Sequence, residues 1–259
     1  MEVSNFVPLL KVEKVSKYFG GLNALTELEL HVFNSEILGI IGPNGAGKTT
    51  LFNVITGFLP PTSGRIIFEG EDITCLRTDQ ITQRGITRTF QTSILYMQAS
   101  CFENVLMGFH MHYRQPKWKA FLHTRAAYEE ENIARQKAIK ILEFMGLSGL
   151  KEELACNLPH GQQRALGISI ALATTPKLLL LDEPATGMNP KETTTMMEQI
   201  RQLKDKGITI VLVEHNMRAI MNLCDRIIVL NYGRKIAEGS PQEIRENTQV
   251  IEAYLGKEQ

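Results

Sequence analysis

The chain has 259 residues, 28 basic and 28 acidic side chains, and 43% hydrophobic residues. That length suits one large α/β domain or a core with an inserted subdomain, and it supplies enough apolar surface to fold without disulfide or metal staples. A net charge of zero gives no electrostatic basis for binding nucleic acid or adsorbing to an anionic membrane, and Cys75, Cys101, Cys156 and Cys224 form no Cys-x-x-Cys pair of a zinc or redox site.

The N-terminus carries Glu2 and Asn5 and lacks a basic start before a long apolar run, so it does not read as a signal peptide. Leu10-Lys11-Val12 opens a strand, Ala24 to Phe33 alternates as a strand does, and Glu36 to Ile41 is an apolar strand ending at a glycine-rich turn. Thr49 to Thr56 is expected to be a helix closed by Gly57. The turn residues 60–64 introduce a strand over Arg65 to Glu69. From about Ser93 to Leu158 the chain is rich in Met, His, Glu and Lys. Within it, Arg125 to Met145 has helical spacing, with Ile133, Ala134, Ala138, Ile141, Leu142 and Met145 near one face. This stretch reads as a helical insertion, and Glu129-Glu130-Glu131 as its solvated face. Strand and helix then alternate: a helix from Gln162 to Thr174 stopped by Pro176, strand Leu178 to Leu181, helix Lys191 to Lys206, strand Ile208 to Val213, helix Arg218 to Leu223 and strand Arg226 to Leu230. Such alternation predicts a parallel sheet with helices on both faces. No stretch reaches the ~18 apolar residues that span a bilayer, so work at a membrane requires another chain to carry this one there.

Gly42-Pro43-Asn44-Gly45-Ala46-Gly47-Lys48-Thr49 fits the phosphate-loop pattern G-x-x-x-x-G-K-[ST]. Glycines let successive N–H groups turn inward onto phosphate oxygens, and the following helix offers its N-terminus to the same anion. Lys48 then reaches the β- and γ-phosphates, and the Thr49 hydroxyl ligates Mg²⁺. Chance yields such a match in roughly one chain of this length per hundred. The expected apolar strand before the loop and helix after it set this match apart.

Leu178-Leu179-Leu180-Leu181-Asp182-Glu183 is an apolar strand delivering two carboxylates to the carboxyl edge of a sheet, where ligands of open α/β sheets bind. Asp182 suits Mg²⁺, and Glu183 suits polarising an attacking water. Without the phosphate loop, an acidic strand-to-turn junction ahead of Pro184 explains the pair equally well.

In their order, these motifs resemble the ATP-binding subunits of ABC transporters over nearly the whole chain. Gln91, in Arg88-Thr89-Phe90-Gln91, matches the family's Q-loop glutamine, a metal and catalytic-site residue. Leu158-Pro159-His160-Gly161-Gln162-Gln163-Arg164 stands where the signature, usually Leu-Ser-Gly-Gly-Gln, is expected. His215 matches the switch histidine, and Phe19, or its neighbour Tyr18, the aromatic that stacks on adenine. Taken singly, Gln91 has an ordinary alternative as a surface glutamine, His215 as a structural or exposed histidine, and Phe19 as core. His110 and His112 read as surface. The resemblance implies an α/β P-loop NTPase core with a mostly parallel sheet, an N-terminal antiparallel β subdomain and an inserted helical subdomain. It places the first part of the ATP-binding core at 1–92, the insertion ending in the signature at 93–164, and the rest of the core with the tail at 165–259. It further implies ATP hydrolysis with Mg²⁺. Gly42, Asn44, Gly45, Ala46, Gly47, Lys48, Thr49 and Thr50 hold nucleotide, Thr49, Gln91 and Asp182 hold metal, and Gly161 and Gln162 face the ATP of a second subunit.

Pro159, His160 and Asn189 depart from the general pattern and narrow the resemblance. With Asn104-Val105-Leu106-Met107-Gly108, Val213-Glu214-His215-Asn216-Met217 and the tail Asn247 to Gly256, they resemble the first ATP-binding subunit of branched-chain amino-acid importers. That implies a second ATP-binding subunit, as homo- or heterodimer, two integral membrane permeases and an extracytoplasmic binding protein. The place implied is peripheral, on the cytoplasmic face of the inner membrane. The ATPases of lipopolysaccharide export and of urea or amide importers are similar. A DNA-repair or translation ATPase would need a coiled coil or a second head, for which this chain has no room.

Overall fold

The computed structural model describes residues 7–89, 95–109 and 125–255. The chain divides into two compact units: one of Met1–Arg88, Lys177–Glu183 and Ile200–Gln259, the other of Thr89–Pro176 and Pro184–Gln199.

In the first unit, β1 (Leu10–Phe19) and β2 (Leu22–Val32) form a hairpin, and β4 (Ser63–Phe68) with β5 (Glu71–Asp72) extends it into an antiparallel sheet of order β2-β1-β4-β5. β1 alternates only from Leu10 to Glu13; a register shift between Val12 and Val15, where Lys14 takes a positive φ of 48°, is followed by two more up to Tyr18, and past it Val15 and Ser16 are both buried. That irregularity breaks the period of two, so the sequence shows only the first residues of this strand.

The second sheet has the order β10-β9-β3-β8-β7-β6 among the described residues. It contains β3 (Ile37–Ile41), β6 (Ile86–Thr89), β7 (Leu178–Asp182), β8 (Thr209–Val213), β9 (Arg226–Asn231) and β10 (Arg234–Gly239). β3 pairs in parallel with β8 and β9, and β7 with β8, while β10 runs antiparallel to β9. β3, β7 and β8 are buried along their whole length, which accounts for their unbroken apolar runs. Between β3 and β4, α1 (Lys48–Ile55) begins at Gly47 and ends through Thr56 into Gly57, whose φ of 70° closes it. One core joins the two sheets: Leu10, Val12 and Leu30 from the antiparallel sheet, Leu51 and Phe52 from α1, and Leu38, Leu180 and Val211 from the parallel sheet. Each such fully buried side chain contributes roughly 1.5–3 kcal/mol.

The second unit is helical. α3 (Cys101–Phe109), α4 (Arg125–Phe144) and α5 (His160–Ala173) pack together; α2 (Thr78–Gln83) precedes them in the first unit. A side chain at Gly108 would put Cβ 2.6 Å from the Ile170 carbonyl oxygen, so this glycine sets how closely α3 approaches α5. Ala134, Ala138 and Leu142 along α4, and Met145 just past its end, are buried as the spacing predicts. Ile133, expected on that face, is 53% exposed, because it lies one residue, about 100°, off the stripe. Glu129 and Glu131 are exposed, and Glu131 pairs with Arg135 at 2.9 Å.

Past Glu183 the chain forms α6 (Pro190–Asp205), and after β8 comes α7 (Met217–Leu223). The chain then closes with α8 (Pro241–Glu246) and α9 (Thr248–Leu255). Ser240 caps α8 in a capping box with Glu243.

Candidate functional site

The loop between β3 and α1 turns on glycines whose backbone other residues avoid. Gly45 has φ 80° and Gly47 φ 102°, and a Cβ on Gly47 would sit 2.6 Å from the Ala24 carbonyl oxygen. The loop is tied to the β9–β10 turn by Gly233 N–H donating to Ala46 O at 3.0 Å. Asn44, Gly45 and Thr49 are exposed, Thr50 is half-buried, and Gly42 and Ala46 are buried. Lys48 is buried, and its ammonium donates to the carbonyls of Gly42 at 2.6 Å and Pro43 at 3.0 Å. Burial lowers its pKa from the ordinary lysine value, and the negative charges of Glu183 and Asp182 oppose that shift.

Those carboxylates stand at the end of β7. Both are buried. Glu183 takes φ 50°, a left-handed conformation that costs a side-chain-bearing residue roughly 1–3 kcal/mol. Its N–H donates to Val213 O at 2.8 Å, which fixes it against the end of β8. His215 follows that strand, half-exposed, and its Nε2 lies 2.5 Å from Glu183 Oε1. The predicted lysine, aspartate, glutamate and histidine therefore belong to one unit, and the three residues that end strands come from neighbouring ones. Sequence reasoning missed Arg88, at the end of β6: its guanidinium donates to Asp182 Oδ2 and to Asn53 Oδ1, both at 2.6 Å. An arginine three residues before the expected glutamine was the available signal.

Phe19 ends β1 and is 45% exposed, with the Lys17 ammonium 5.3 Å from its ring centroid. The structure thus removes the alternative of a core phenylalanine. Tyr18 is exposed beside it. Gln91 lies outside the described residues, as do His110 and His112.

In the helical unit, Pro159 is the N-cap of α5, with extended backbone (ψ 154°) and no side-chain capping bond. The helix starts at His160, earlier than the sequence suggests, because the proline ends the extended segment and the amides after it are helical at once. Gly161 and Gln162 lie half-buried in its first turn. A Cβ on Gly161 would come no nearer than 3.5 Å to its closest neighbour, Glu192, an ordinary contact.

α9 runs beside the phosphate loop. A cavity of about 590 Å³ is lined by Pro43, Asn44 and Gly45 on one side and Gln249, Glu252 and Ala253 on the other.

The donor chemistry fits Mg²⁺. Thr49 and Asp182 offer hard oxygen ligands, and among the described residues no group of three or more His, Cys, Asp or Glu forms a complete metal cage. Mg²⁺ is ordinarily held in this way, by one or two protein oxygens together with substrate phosphates.

Residues 25–186 match the model of the family described as ABC transporter, well over half of the chain. The chain belongs to the ABC transporter ATP-binding family. Its tail, residues 234–259, also matches a model described as branched-chain amino acid ATP-binding cassette transporter. The ABC cassette is 40% identical over 251 residues to the high-affinity branched-chain amino acid transport ATP-binding protein BraF of Pseudomonas aeruginosa. It is 41% identical over 251 residues to LivG of Escherichia coli K12, and each alignment covers 96% of this chain and 98% of the relative. The ADP conformation of MJ1267, an ATP-binding cassette of an ABC transporter, superposes with a TM-score of 0.84 at 36% identity, over 97% of this chain and all of that one. The resemblance to the branched-chain subunits and the P-loop NTPase fold both hold, and the chain is an ABC ATPase.

Proposed function

We propose that this chain binds ATP with Mg²⁺ on its phosphate loop and hydrolyses it as a motor subunit of an importer for branched-chain amino acids. The observation that carries this reading is the arrangement of Lys48, Asp182, Glu183 and His215 around the carboxyl ends of the parallel strands β3, β7 and β8, with Glu183 in a strained backbone conformation. The kinship with BraF and LivG, extending into the tail, supports the substrate class.

In this reading Phe19 stacks on adenine, and the N–H groups of Gly42, Asn44, Gly45, Ala46, Gly47 and Thr50 cradle the phosphates. Lys48 leaves the carbonyls of Gly42 and Pro43 to bind the β- and γ-phosphates. Thr49, Asp182 and Gln91 hold Mg²⁺, which when bound neutralises phosphate charge. Glu183 polarises the attacking water, and His215, bonded to its Oε1, orients the carboxylate. Gly161 and Gln162, on a helix N-terminus where no neighbour among the described residues comes close enough to demand glycine, face the γ-phosphate held by a second ATP-binding subunit. The first unit acts as the ATP-binding core, and the second, which holds α3, α4 and all of α5, as the helical insertion expected over 93–164. The pair works on two membrane permeases fed by an extracytoplasmic binding protein. Among the described residues no helix is long and apolar enough to cross a membrane. The place this reading gives the chain, through its kinship with transporter subunits, is peripheral, on the cytoplasmic face.

Two variants test the assignment on the assembled transporter. Glu183→Gln is expected to keep nucleotide binding within a few fold and lose about 10²-fold or more of phosphate release, the scale of a lost general base. Lys48→Ala is expected to lose both. Near-normal turnover in Glu183→Gln removes that residue as the base.

A further inference from the structure

Arg88 is used by none of the roles above, yet its side chain is only 5% exposed and bound to the carboxylate at the centre of the site. β6 lies next to β7 in the sheet, and the Arg88 side chain reaches Asp182 at the end of that neighbour. One arm of its fork donates to Asp182 Oδ2 and the other to Asn53 Oδ1 on α1, and the guanidinium carbon lies 5.3 Å from the centroid of the Phe52 ring, on the same helix. The guanidinium thus fastens the acidic end of β7 to the helix that begins with Lys48 and Thr49. Lys48 does not make this link, because its ammonium is turned to the carbonyls of Gly42 and Pro43.

From this geometry we infer that Arg88 is a positioning residue for the metal: it holds Asp182 by one carboxylate oxygen, in fixed relation to Thr49, and leaves the carboxylate room to take Mg²⁺. A carboxylate offers about four lone-pair sites, so a single arginine bond does not saturate it. A planar, two-armed fork suits the task, whereas an ammonium cannot hold Asn53 and Asp182 in one rigid geometry. The inference rests on the MgATP reading above.

The test is a Mn²⁺ titration of the full chain with bound ADP, followed by electron paramagnetic resonance, beside ADP binding in EDTA and thermal unfolding. Arg88→Met is expected to weaken Mn²⁺ binding about tenfold or more while metal-free ADP binding stays within twofold. Arg88→Lys, which keeps the charge and loses the fork, is expected to fall between Arg88→Met and wild type. Should Arg88→Met fail to fold, Asn53→Ala carries the test: it frees one arm, leaves all charges in place, and is expected to weaken Mn²⁺ binding several fold. Folded variants with wild-type Mn²⁺ affinity overturn the positioning role and leave the ATPase reading standing, and so does tighter Mn²⁺ binding in Arg88→Met. A wild-type chain that takes no Mn²⁺ with ADP overturns the MgATP reading and this inference with it.

Discussion

Asn189 stands at the start of α6, where its Oδ1 accepts from the N–H groups of Lys191 and Glu192, each at 3.0 Å. Glu192 Oε2 in turn accepts from Asn189 N–H at 3.0 Å, and Pro190 follows as the first helical residue. This is a reciprocal cap, and asparagine and aspartate serve it about equally. Asn189→Ala is therefore expected to lower stability by about 1 kcal/mol and Asn189→Asp by only a few tenths, measured by urea unfolding of the isolated chain. Equal losses in both would show that the cap is not what this side chain supplies. In the sequence Asn189 is visible only as a departure from the general pattern; its local work needs the geometry of the turn. Lys48, Asp182, Glu183 and His215 were legible because motif order picks them out. Arg88 was not, because what marks it is a contact across 94 residues of chain to Asp182.

β3 and α7 show the same limit one level up. Gly39, in the middle of an otherwise apolar strand, reads as a mere weakness in the pattern. In the fold a Cβ there would lie 2.9 Å from Cys224 Sγ and 3.4 Å from Ile220 Cγ2, so the glycine makes room for the C-terminal end of α7. Overpacking of this kind costs roughly 1–3 kcal/mol. Gly39→Ala is expected to lose that much, and Cys224→Ala in the same chain to restore most of it, a coupling that a double-mutant cycle by urea unfolding measures. Additive losses would place the strain elsewhere. The same thiol makes alkaline stability testable. Burial pushes its pKa from 9.0 to about 12. Above pH 9 the unfolded chain ionises this cysteine while the folded one keeps the proton, so stability is fully present below 9 and drains away between 9 and 12. The slope is at most about 1.4 kcal/mol per pH unit from this one group. Unfolding midpoints of wild type and Cys224→Ala should converge across that window, and parallel curves would contradict it. Elements with long uniform patterns or clear punctuation were legible: the buried strands, and α1 closed by Gly57. The Ser-Pro-x-Glu start of α8 is equally readable, whereas β1 is hidden by its bulge and the place of β6 in the sheet by long-range pairing.

For the whole molecule, the order β10-β9-β3-β8-β7-β6 cannot be read along the chain, because parallel neighbours are joined by crossovers that leave no mark in the sequence. What can be read is which motifs exist, and these include a phosphate loop and a signature that, in the function proposed here, serve different ATP molecules. The two ATP sites of the assembled pair then need not be equal. At the signature, Pro159 caps α5 through its extended backbone alone and brings no hydroxyl. The helix start is intact, so the amides of Gly161 and Gln162 remain available to a γ-phosphate, while a donor that a serine would contribute is missing. A hydrogen bond to a charged group is worth about 1.5–3 kcal/mol, or roughly a factor of 10 to 100 in affinity, less whatever the amides and water recover. That difference falls on the phosphate loop of the partner subunit and leaves the site built on Lys48 unaffected. Pro159→Ser is accordingly expected to raise ATP retention at the partner's loop by about tenfold and to change retention at Lys48 by less than twofold. Site-resolved trapping of labelled nucleotide on the two subunits, in the assembled transporter, reads both numbers from one sample. Equal occupancy of the two sites in both wild type and variant would mean that the backbone amides suffice and that proline at this position serves only to start the helix.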